Sequence, residues 1–395
     1  DQTEEERAWV DYAKKNDLLY QLPSNPADVD LSKIQPKENV FLRGLGLSFF
    51  DYVGLFTVSR GGRFENKKGK LVYHPSGKEP IIYSGSRRGL PYYPRGRNQK
   101  QGGAMAWPRL LTKENLERWH RSGLLTGETF FDYLKKDSEL FYYKKIIEEH
   151  HLPISRKTFD HDFLSLSSEE CLGKYPALLP YKWSWSYLET PLTYQDESFA
   201  EASRAFIEGQ IKEAEKGNCT GALTSTFDAL KDWRDPIRQA IEWHVFSAKE
   251  YKEILWGWFT HLNSFLTIGP PVIRTKELAA LIDAGIFHLI EPPLDIQQKQ
   301  NHYVISLQDK EISSRYLIEA RLPQTSFSRS SNPVIKNLKE NKLVRPFSFS
   351  DNTGSYHSEA IDVERGTNRV IDASGKITAM FHSIPAQLSK DTKRY

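Results

Sequence analysis

The most informative stretch of this sequence is Asn39-Val40-Phe41-Leu42-Arg43-Gly44-Leu45-Gly46-Leu47-Ser48-Phe49-Phe50-Asp51. It opens with a short apolar run, whose length is typical of a strand buried in a parallel sheet. Two glycines one residue apart follow, and beyond them apolar residues recur at helical spacing through Tyr52, Val53, Leu55, Phe56 and Val58. A strand, a glycine turn and a helix in this order make up a dinucleotide-binding βα unit.

Each small or polar residue of this turn has a place in such a unit. Gly44 permits the tight turn, and Gly46 lets backbone N–H groups approach a pyrophosphate at the positive end of the following helix. Phe49 replaces the usual third glycine, so the pattern reads Gly44-x-Gly46-x-Ser48-x-x-Asp51. In it Ser48 caps the helix or contacts phosphate, and Asp51 completes the candidate binding residues. A plain strand-turn-helix connection that uses glycine explains the pattern equally well.

A second strand is predicted over residues 81–86, and Arg87 and Arg88 follow it directly. The end of this strand is where a dinucleotide-binding fold places the ribose 2′ substituent, and arginine at this point is typical of NADP binding. Arginine suits phosphate because its planar fork donates two hydrogen bonds at once. The separation from the glycines is longer than in a minimal unit, and a hairpin inserted over residues 64–80 accounts for it. The alternative is a solvated arginine pair on a loop.

A basic, aromatic and glycine-rich loop follows over residues 91–103. Such a loop can close over a bound nucleotide, with Tyr92 stacking on a ring and Arg97 lying close to phosphate. An exposed surface loop that binds nothing explains the same residues equally well.

Several runs together resemble those of bacterial FAD/NAD(P)-binding proteins. The runs are Pro23-x-Asn25-Pro26-Ala27-Asp28-Val29-Asp30, Leu42-Arg43-Gly44-Leu45-Gly46-Leu47-Ser48-Phe49-Phe50-Asp51, Arg60-Gly61-Gly62-Arg63-Phe64-Glu65, Pro75-Ser76-Gly77-Lys78-Glu79-Pro80 and Gly85-Ser86-Arg87-Arg88-Gly89-Leu90-Pro91-Tyr92. The resemblance is dense over roughly the first hundred residues, thin through the middle, and returns at residues 318–323 and 343–346. These proteins are similar in plan to the N-hydroxylating monooxygenases and to other flavoproteins with two dinucleotide domains.

The resemblance implies FAD and NADP as cofactors. In such proteins a separate N-terminal Gly-x-Gly-x-x-Gly unit holds the FAD, and this chain has no such unit. We therefore expect the flavin-binding segment to be a partner, supplied by the same protein or by another chain, and the first residue, Asp1 rather than Met, agrees with this. Residues 360–382 resemble the returning β segment of a flavin domain, which would pair with that segment.

Composition narrows the remaining classes of function. The 395 residues carry a formal net charge of +3, which gives no electrostatic basis for binding nucleic acid or an anionic membrane surface. No apolar run approaches the ~20 residues of a membrane-spanning helix. Cys171 and Cys219 are the only cysteines, too few for a disulfide framework or a four-ligand zinc site, and we expect no metal. A reducing, cytoplasmic setting fits these features.

The predicted fold class is α/β. We expect a Rossmann-like NAD(P)-binding domain with a large helical insertion, and a C-terminal β-containing segment of a second, FAD-type domain. Residues 1–36 are assigned to an N-terminal helix and linker, 37–110 to the Rossmann-like NADP-binding part, 111–286 to the helical insertion, 287–325 to the closing strands, and 326–395 to the FAD-type segment.

These expectations converge on an FAD-dependent NAD(P)H oxidoreductase that acts on a small-molecule substrate, with a monooxygenase as the form that the resemblance favours. The chain would carry the NADP-binding portion and be inactive alone. The cofactors would supply the chemistry and the protein the orientation and charge, and the sequence identifies no catalytic acid or base. The alternative is a non-catalytic nucleotide-binding or protein-interaction module, in which the glycine turn is scaffold and the helical region is a partner surface.

Overall fold

The computed structural model describes residues 2–101, 106–192, 194, 197–307, 310–324, 326–364 and 366–382. The strands of these residues are β1 (Leu19–Gln21), β2 (Asn39–Arg43), β3 (Arg63–Lys67), β4 (Lys70–His74), β5 (Ile81–Gly85), β6 (Phe287–Leu289), β7 (Gln297–Lys299), β8 (His302–Leu307), β9 (Lys310–Ser314), β10 (Tyr316–Glu319), β11 (Pro346–Asp351), β12 (Gly354–Ile361), β13 (Arg369–Ile371) and β14 (Ile377–His382).

The helices are α1 (Glu4–Lys15), α2 (Leu47–Phe56), α3 (Lys113–Arg121), α4 (Gly127–Glu149), α5 (Arg156–Ser165), α6 (Ser168–Lys174), α7 (Trp185–Glu189), α8 (Phe199–Lys216), α9 (Ala222–Asp232), α10 (Arg234–Glu242), α11 (Ala248–Glu250), α12 (Thr260–Thr267), α13 (Val272–Asp283) and α14 (Pro333–Glu340). A π-helical run, Tyr251–Phe259, joins α11 to α12. Within the described ranges, no helix combines the length and the apolar character that crossing a bilayer demands.

The central sheet is parallel throughout and has the order β1-β10-β2-β5-β6. The predicted strand at the start of the glycine motif is its middle strand, and Val40, Phe41 and Leu42 are fully buried. Full burial explains why this strand reads as an unbroken apolar run, since both faces of a parallel sheet are covered. The predicted α/β class with a parallel sheet is confirmed.

The order of the strands creates a crevice beside β2. From β2 the chain proceeds to β5 and then β6 on one side, and β10 later inserts on the other side between β2 and β1. In open parallel sheets, ligands bind outside the carboxyl ends of the strands where the strand order reverses in this way. The reversal lies between β2 and β10, next to the glycine turn.

Between β5 and β6 the described helices run from α3 to α13, and the assignment of residues 111–286 to one inserted unit stays a prediction. These helices enclose two aromatic-rich cores, one around Phe159, Phe163 and Phe265 and the other around Phe130 and Trp233. The insertion therefore has apolar interiors of its own and covers the sheet as a second layer.

Two local expectations were wrong in detail. Within the predicted helical insertion, apolar residues recur at helical spacing over residues 236–265 and predict a single helix there. The chain instead breaks after α10, because His244 has a left-handed φ of +52° and Ser247 caps a new helix together with Glu250. Residues 19–21, expected in the N-terminal linker region, form β1 and pair with β10. The predicted hairpin is present as β3 and β4.

The C-terminal region forms two antiparallel hairpins, β11–β12 and β13–β14. Phe349 and Tyr356 of the first hairpin pack against Tyr251 of the π-helical run. Asp351 also accepts a 2.7 Å hydrogen bond from the backbone N–H of Ala248. This region thus rests on the helical insertion, and its assignment to an FAD-type domain stays a prediction.

Asp283, at the end of α13, links three parts of the fold. Arg204 of α8 donates to it twice, with Nε–Oδ1 and Nη2–Oδ2 distances of 2.8 and 3.1 Å, and Nζ of Lys70 in β4 lies 2.9 Å from Oδ2. The hydrogen bonds from Arg204 lower the pKa of Asp283 to about 2, although burial opposes the shift. The carboxylate therefore holds the hairpin and two helices of the insertion together.

We predict that Asp283→Asn lowers the free energy of unfolding by about 1 kcal/mol at neutral pH, a modest value because the carboxylate is partly exposed. Its pKa is lower in the folded than in the unfolded chain, so the stabilisation is present above about pH 4 and is lost as the pH falls towards 2. Urea denaturation of both proteins from pH 7 to pH 3 measures this. Asp235→Asn, which removes an exposed carboxylate paired with Arg238, is the control, and a difference that grows as the pH falls would contradict the prediction.

Candidate functional site

A cleft of about 870 Å³ lies outside the carboxyl ends of β2, β5 and β10. Its lower wall comes from the sheet, through residues 44–48, 86–88 and 320–322. Its upper wall comes from the helical insertion, through Glu189, Thr190, Gly257, Trp258, His261, Leu262, Phe265 and Ile268. The cleft thus occupies the crevice where the strand order reverses, which is the expected place for a ligand in a parallel sheet.

The glycine turn forms the floor of the cleft. Gly44 has φ +123°, and a Cβ atom there would lie 3.1 Å from the carbonyl oxygen of Ala320. A side chain at this position would be strained and would push β2 and β10 apart. The hydroxyl of buried Ser84 donates to the carbonyl oxygens of Leu42 and Gly44 at 3.0 and 3.2 Å. Glycine and serine therefore fix the turn tightly against both neighbouring strands.

The start of α2 faces the cleft without a side-chain cap. Gly46 is the N-cap residue, and among the described residues no side chain bonds to the first helical turn. The predicted cap at Ser48 was wrong, because α2 begins at Leu47 and its N-cap is Gly46, two residues before Ser48. Ser48 therefore lies within the first turn, where it lines the cleft. Uncapped N–H groups at a helix N-terminus attract anions. The geometry therefore suits a phosphate at this end.

The other residues of the motif have different positions. Asp51 is exposed on α2 and is not among the residues that line the cleft. Phe49, in place of a third glycine, is fully buried, and its ring meets Phe287 of β6 edge-on with centroids 5.4 Å apart. It fills the space between helix and sheet, so the departure from the glycine pattern is a packing solution.

The two predicted arginines both line the cleft but differ in their contacts. Nε of Arg88 donates to the carbonyl oxygen of Glu189 at 2.9 Å, and its guanidinium lies 4.2 Å from the centroid of the Phe265 ring. Burial lowers the pKa of Arg88. Arg87 is exposed and makes no hydrogen bond or ion pair with another described residue. Arg88 thus joins the two walls, whereas Arg87 is available to an anionic ligand.

The predicted loop residues separate in the same way. Tyr92 is partly buried in the cleft, where a Cβ atom on Gly46 would come within 3.6 Å of its ring, and burial raises the pKa of its hydroxyl. Arg97 lies outside the cleft, and its backbone bonds to Ala214 and Asn218 near the end of α8. The structure therefore brings Tyr92, but not Arg97, to the glycine turn.

The upper wall of the cleft contains two functional candidates that no sequence pattern predicts, Trp258 and His261. Trp258 donates its indole N–H to the carboxylate of Glu189 at 2.5 Å, and His261 follows one turn later. Burial, then the charges of Arg87 and Arg88, lower the pKa of His261. No motif marks these residues, because Trp258 lies in the π-helical run and His261 in α12, and only the packing of the insertion brings both of them over the sheet.

A buried charge network supports one end of the cleft. Glu319, at the end of β10, is fully buried and lies 3.3 Å from Arg43 and 3.1 Å from Arg321. It also accepts a 2.9 Å hydrogen bond from Tyr20, and Arg321 reaches Glu6 of α1 at 3.0 Å. Paired charges of this kind are costly to break once buried. The network fixes Arg321 at the cleft and attaches α1 to the sheet.

We predict that Arg88→Ala lowers the free energy of unfolding by about 1–2 kcal/mol, because it removes a cation–π contact and a hydrogen bond between the walls. Arg87→Ala, the matched control, should change it by less than about 0.5 kcal/mol, as for other exposed side chains. Denaturant unfolding of the two variants measures both values. Equal losses would show that the two arginines are structurally equivalent.

The comparisons with known proteins point to one kind of enzyme, although no protein-family model matches the chain. It is 32% identical over 381 residues to nitrosuccinic acid synthase npaA of Aspergillus oryzae, covering 92% of this chain and 58% of that protein. It is 34% identical over 388 residues to an L-aspartate N-monooxygenase (nitrosuccinate-forming) of Streptomyces davaonensis, covering 93% of this chain and 59% of that protein. A protein of the same name from Streptomyces cremeus is 33% identical over 377 residues, or 90% of this chain and 56% of that protein.

The chain spans less than two thirds of the length of these relatives. The similarity covers nine-tenths of the chain or more, so it extends through the sheet, the cleft and the helical insertion. The predicted likeness to N-hydroxylating monooxygenases is confirmed at this level, and the chain is a homologue of oxidoreductases that are named N-monooxygenases.

Proposed function

We propose that this chain is the NADPH-binding part of a flavin-dependent N-hydroxylating monooxygenase. The observation that carries the proposal is the position of the glycine turn, with the uncapped start of α2, at the point where the strand order reverses. The similarity to N-monooxygenases supports the enzyme over a non-catalytic interaction module. The sheet is, on this proposal, a Rossmann-type dinucleotide sheet whose three-glycine fingerprint has been shortened to Gly44 and Gly46.

The position and the basic lining of the cleft support a dinucleotide as its ligand. Pyrophosphate would lie on the turn at residues 44–48, against the backbone N–H groups and the positive end of α2. Tyr92 stands beside Gly46 and would cover this part of the ligand. We assign the 2′-phosphate mainly to Arg87, because the guanidinium of Arg88 is already in contact with Glu189 and Phe265. The role of Arg88 is then to hold the two walls at the correct separation.

The overall reaction we propose is amine + O2 + NADPH + H+ → hydroxylamine + NADP+ + H2O. A bound flavin would accept the hydride and deliver one oxygen atom to the substrate nitrogen. The residues of this chain would bind and orient the reductant and exclude water beneath Trp258 and the helical wall. The proposed substrate class is an amino acid with a free amine, and the names of the two Streptomyces relatives favour L-aspartate.

We propose further that the main flavin-binding segment is supplied from outside these 395 residues. The relatives are longer than this chain, and the described residues present one glycine turn at the carboxyl end of a parallel strand. One such turn accounts for one dinucleotide. The cytoplasm, with its supply of NADPH, is the proposed compartment.

Nucleotide binding tests the cleft directly. We expect NADP+ to bind more tightly than NAD+, and Arg87→Ala to weaken NADP+ about tenfold, since one partly exposed charge-assisted contact is worth ~1.4 kcal/mol. The affinity for NAD+ should change by less than about twofold. Arg97→Ala removes an arginine outside the cleft and is the matched control. Calorimetric titration measures the affinities of the wild type and both variants for NADP+ and NAD+. Equal losses of affinity for the two nucleotides would show that Arg87 does not bind the 2′-phosphate.

Flavin content and turnover test the enzyme. The 395-residue chain should bind NADP+ without a stoichiometric flavin absorbance, whereas the complete gene product should carry FAD and oxidise NADPH faster when L-aspartate is added. Mass spectrometry of the product should show added oxygen on the amine nitrogen. A chain that holds one FAD per molecule by itself would contradict the assignment of the flavin segment. NADPH oxidation that no amino acid accelerates would contradict the proposed reaction.

A further inference from the structure

We propose that His261, on the helical wall, and Arg87, at the end of β5, together recognise the 2′-phosphate, and that His261 takes up a proton when this group binds. The inference rests on the proposed NADPH site and adds a specificity residue that the strand-end pattern does not contain. It makes the preference for NADPH over NADH dependent on pH.

The two side chains line one cleft from opposite walls. Arg87 leaves the sheet just after β5, and His261 lies in the first turn of α12. Both are exposed, and neither makes a hydrogen bond or ion pair with another described residue. A phosphate that Arg87 binds would therefore find an unengaged imidazole close by. A protonated imidazole donates from both ring nitrogens, which suits a dianion.

The charges around His261 explain its state in the empty cleft. The other titratable groups that line the cleft are Arg87, Arg88, Tyr92, Glu189 and Arg321. Glu189 accepts the indole N–H of Trp258 at 2.5 Å, and Arg321 is paired with Glu319 and Glu6. His261 keeps solvent-exposed surface, but partial desolvation against the helical wall, together with the charges of Arg87 and Arg88, lowers its pKa, which favours the neutral imidazole in the empty cleft.

A bound phosphate reverses this balance. Two negative charges next to His261 favour the imidazolium and raise its pKa, because an opposite charge within a few ångströms stabilises the charged form. The affinity for the 2′-phosphate then increases as the pH falls through the raised pKa, and levels off below the pKa of the empty site. The phosphate itself has a second pKa of about 6 and tends to release a proton on binding to arginine. Proton uptake by His261 and proton release by the phosphate have opposite signs, so a titration of the wild type measures their sum. Removing the imidazole leaves the release by the phosphate alone.

The experiment is calorimetric titration with adenosine 2′,5′-bisphosphate and with adenosine 5′-monophosphate, at neutral pH and in two buffers of different ionisation enthalpy. We expect the wild type to take up about half a proton with the bisphosphate, and little or none with the monophosphate. The ratio of the two affinities should increase about threefold between pH 8 and pH 6.5. The measurement of proton uptake and affinity requires neither a bound flavin nor turnover.

Three variants give the controls. In His261→Asn we expect no proton uptake, or a slight proton release, when the bisphosphate binds. The ratio of the affinities for the bisphosphate and the monophosphate should then no longer increase as the pH falls. His261→Lys should keep the preference for the bisphosphate at pH 8 without proton uptake, because its charge is permanent. His357→Asn, which removes an exposed imidazole of β12, should behave as the wild type does.

The outcomes are distinct from those that test the proposed function. If the bisphosphate binds but the wild type takes up no proton, or if His261→Asn retains the uptake, the role of His261 is wrong while the nucleotide site stands. If neither nucleotide binds to the wild type, the proposed NADPH site fails, and the role of His261 fails with it.

Discussion

The close contact between the backbones of Gly44 and Ala320 is the constraint on which the cleft depends. The chain leaves β2 through a left-handed turn that lies against the end of β10, with no room for a side chain between them. This contact sets where α2 begins and holds its N-terminus at the crevice. It also brings Arg321 beside the turn, so that the buried pairing of Glu319 with Arg43 and Arg321 stabilises the same edge.

On the proposed function, the two walls of the cleft would contribute differently to recognition of the nucleotide. The sheet supplies general features of a phosphate site, which are backbone N–H groups, a helix terminus and an exposed arginine. The helical insertion supplies particular side chains, Trp258 and His261, and seals the site with apolar residues such as Phe265. Arg88 connects the walls, because it contacts the backbone of Glu189 above and the ring of Phe265 beside it. Arg88 follows the predicted second strand, where a dinucleotide-binding fold would place the 2′-phosphate. In the structure its contacts instead hold the two walls of the cleft together.

Local sequence patterns predicted those parts of the fold that local physics determines. The apolar run of β2, the glycines after it, the hairpin at Lys68 and the helical block between β5 and β6 each follow from periodicity or turn chemistry. Strand β1 was missed because its three half-buried residues become a strand only through pairing with β10. The cap was misplaced because a glycine N-cap leaves no side-chain signal at Gly46.

Part of the candidate site could be predicted from the sequence, because that part also follows local patterns. Gly44, Gly46, Ser48, Arg87, Arg88 and Tyr92 line one cleft, and each could be found because it follows a predicted strand. Trp258 and His261 lie about 170 residues beyond Tyr92 in the chain. Nothing in the sequence around them relates them to the glycine turn. Their place depends on how the insertion packs back over the sheet, which is a long-range property.

The π-helical run in the upper wall affects how mutation can change the lining of the cleft. Hydrogen bonds in such a run span five residues, so one turn holds a residue more than the regular helix around it. Deleting or adding a single residue within Tyr251–Phe259 would change which side chains of this run face the cleft, between α11 on one side and α12 on the other. The lining next to Gly257 can thus be exchanged by a change of chain length, without disturbing the packing of α12 around Phe265. A change of length in this short segment would therefore alter the lining of the cleft in a way that a point substitution in a regular helix does not.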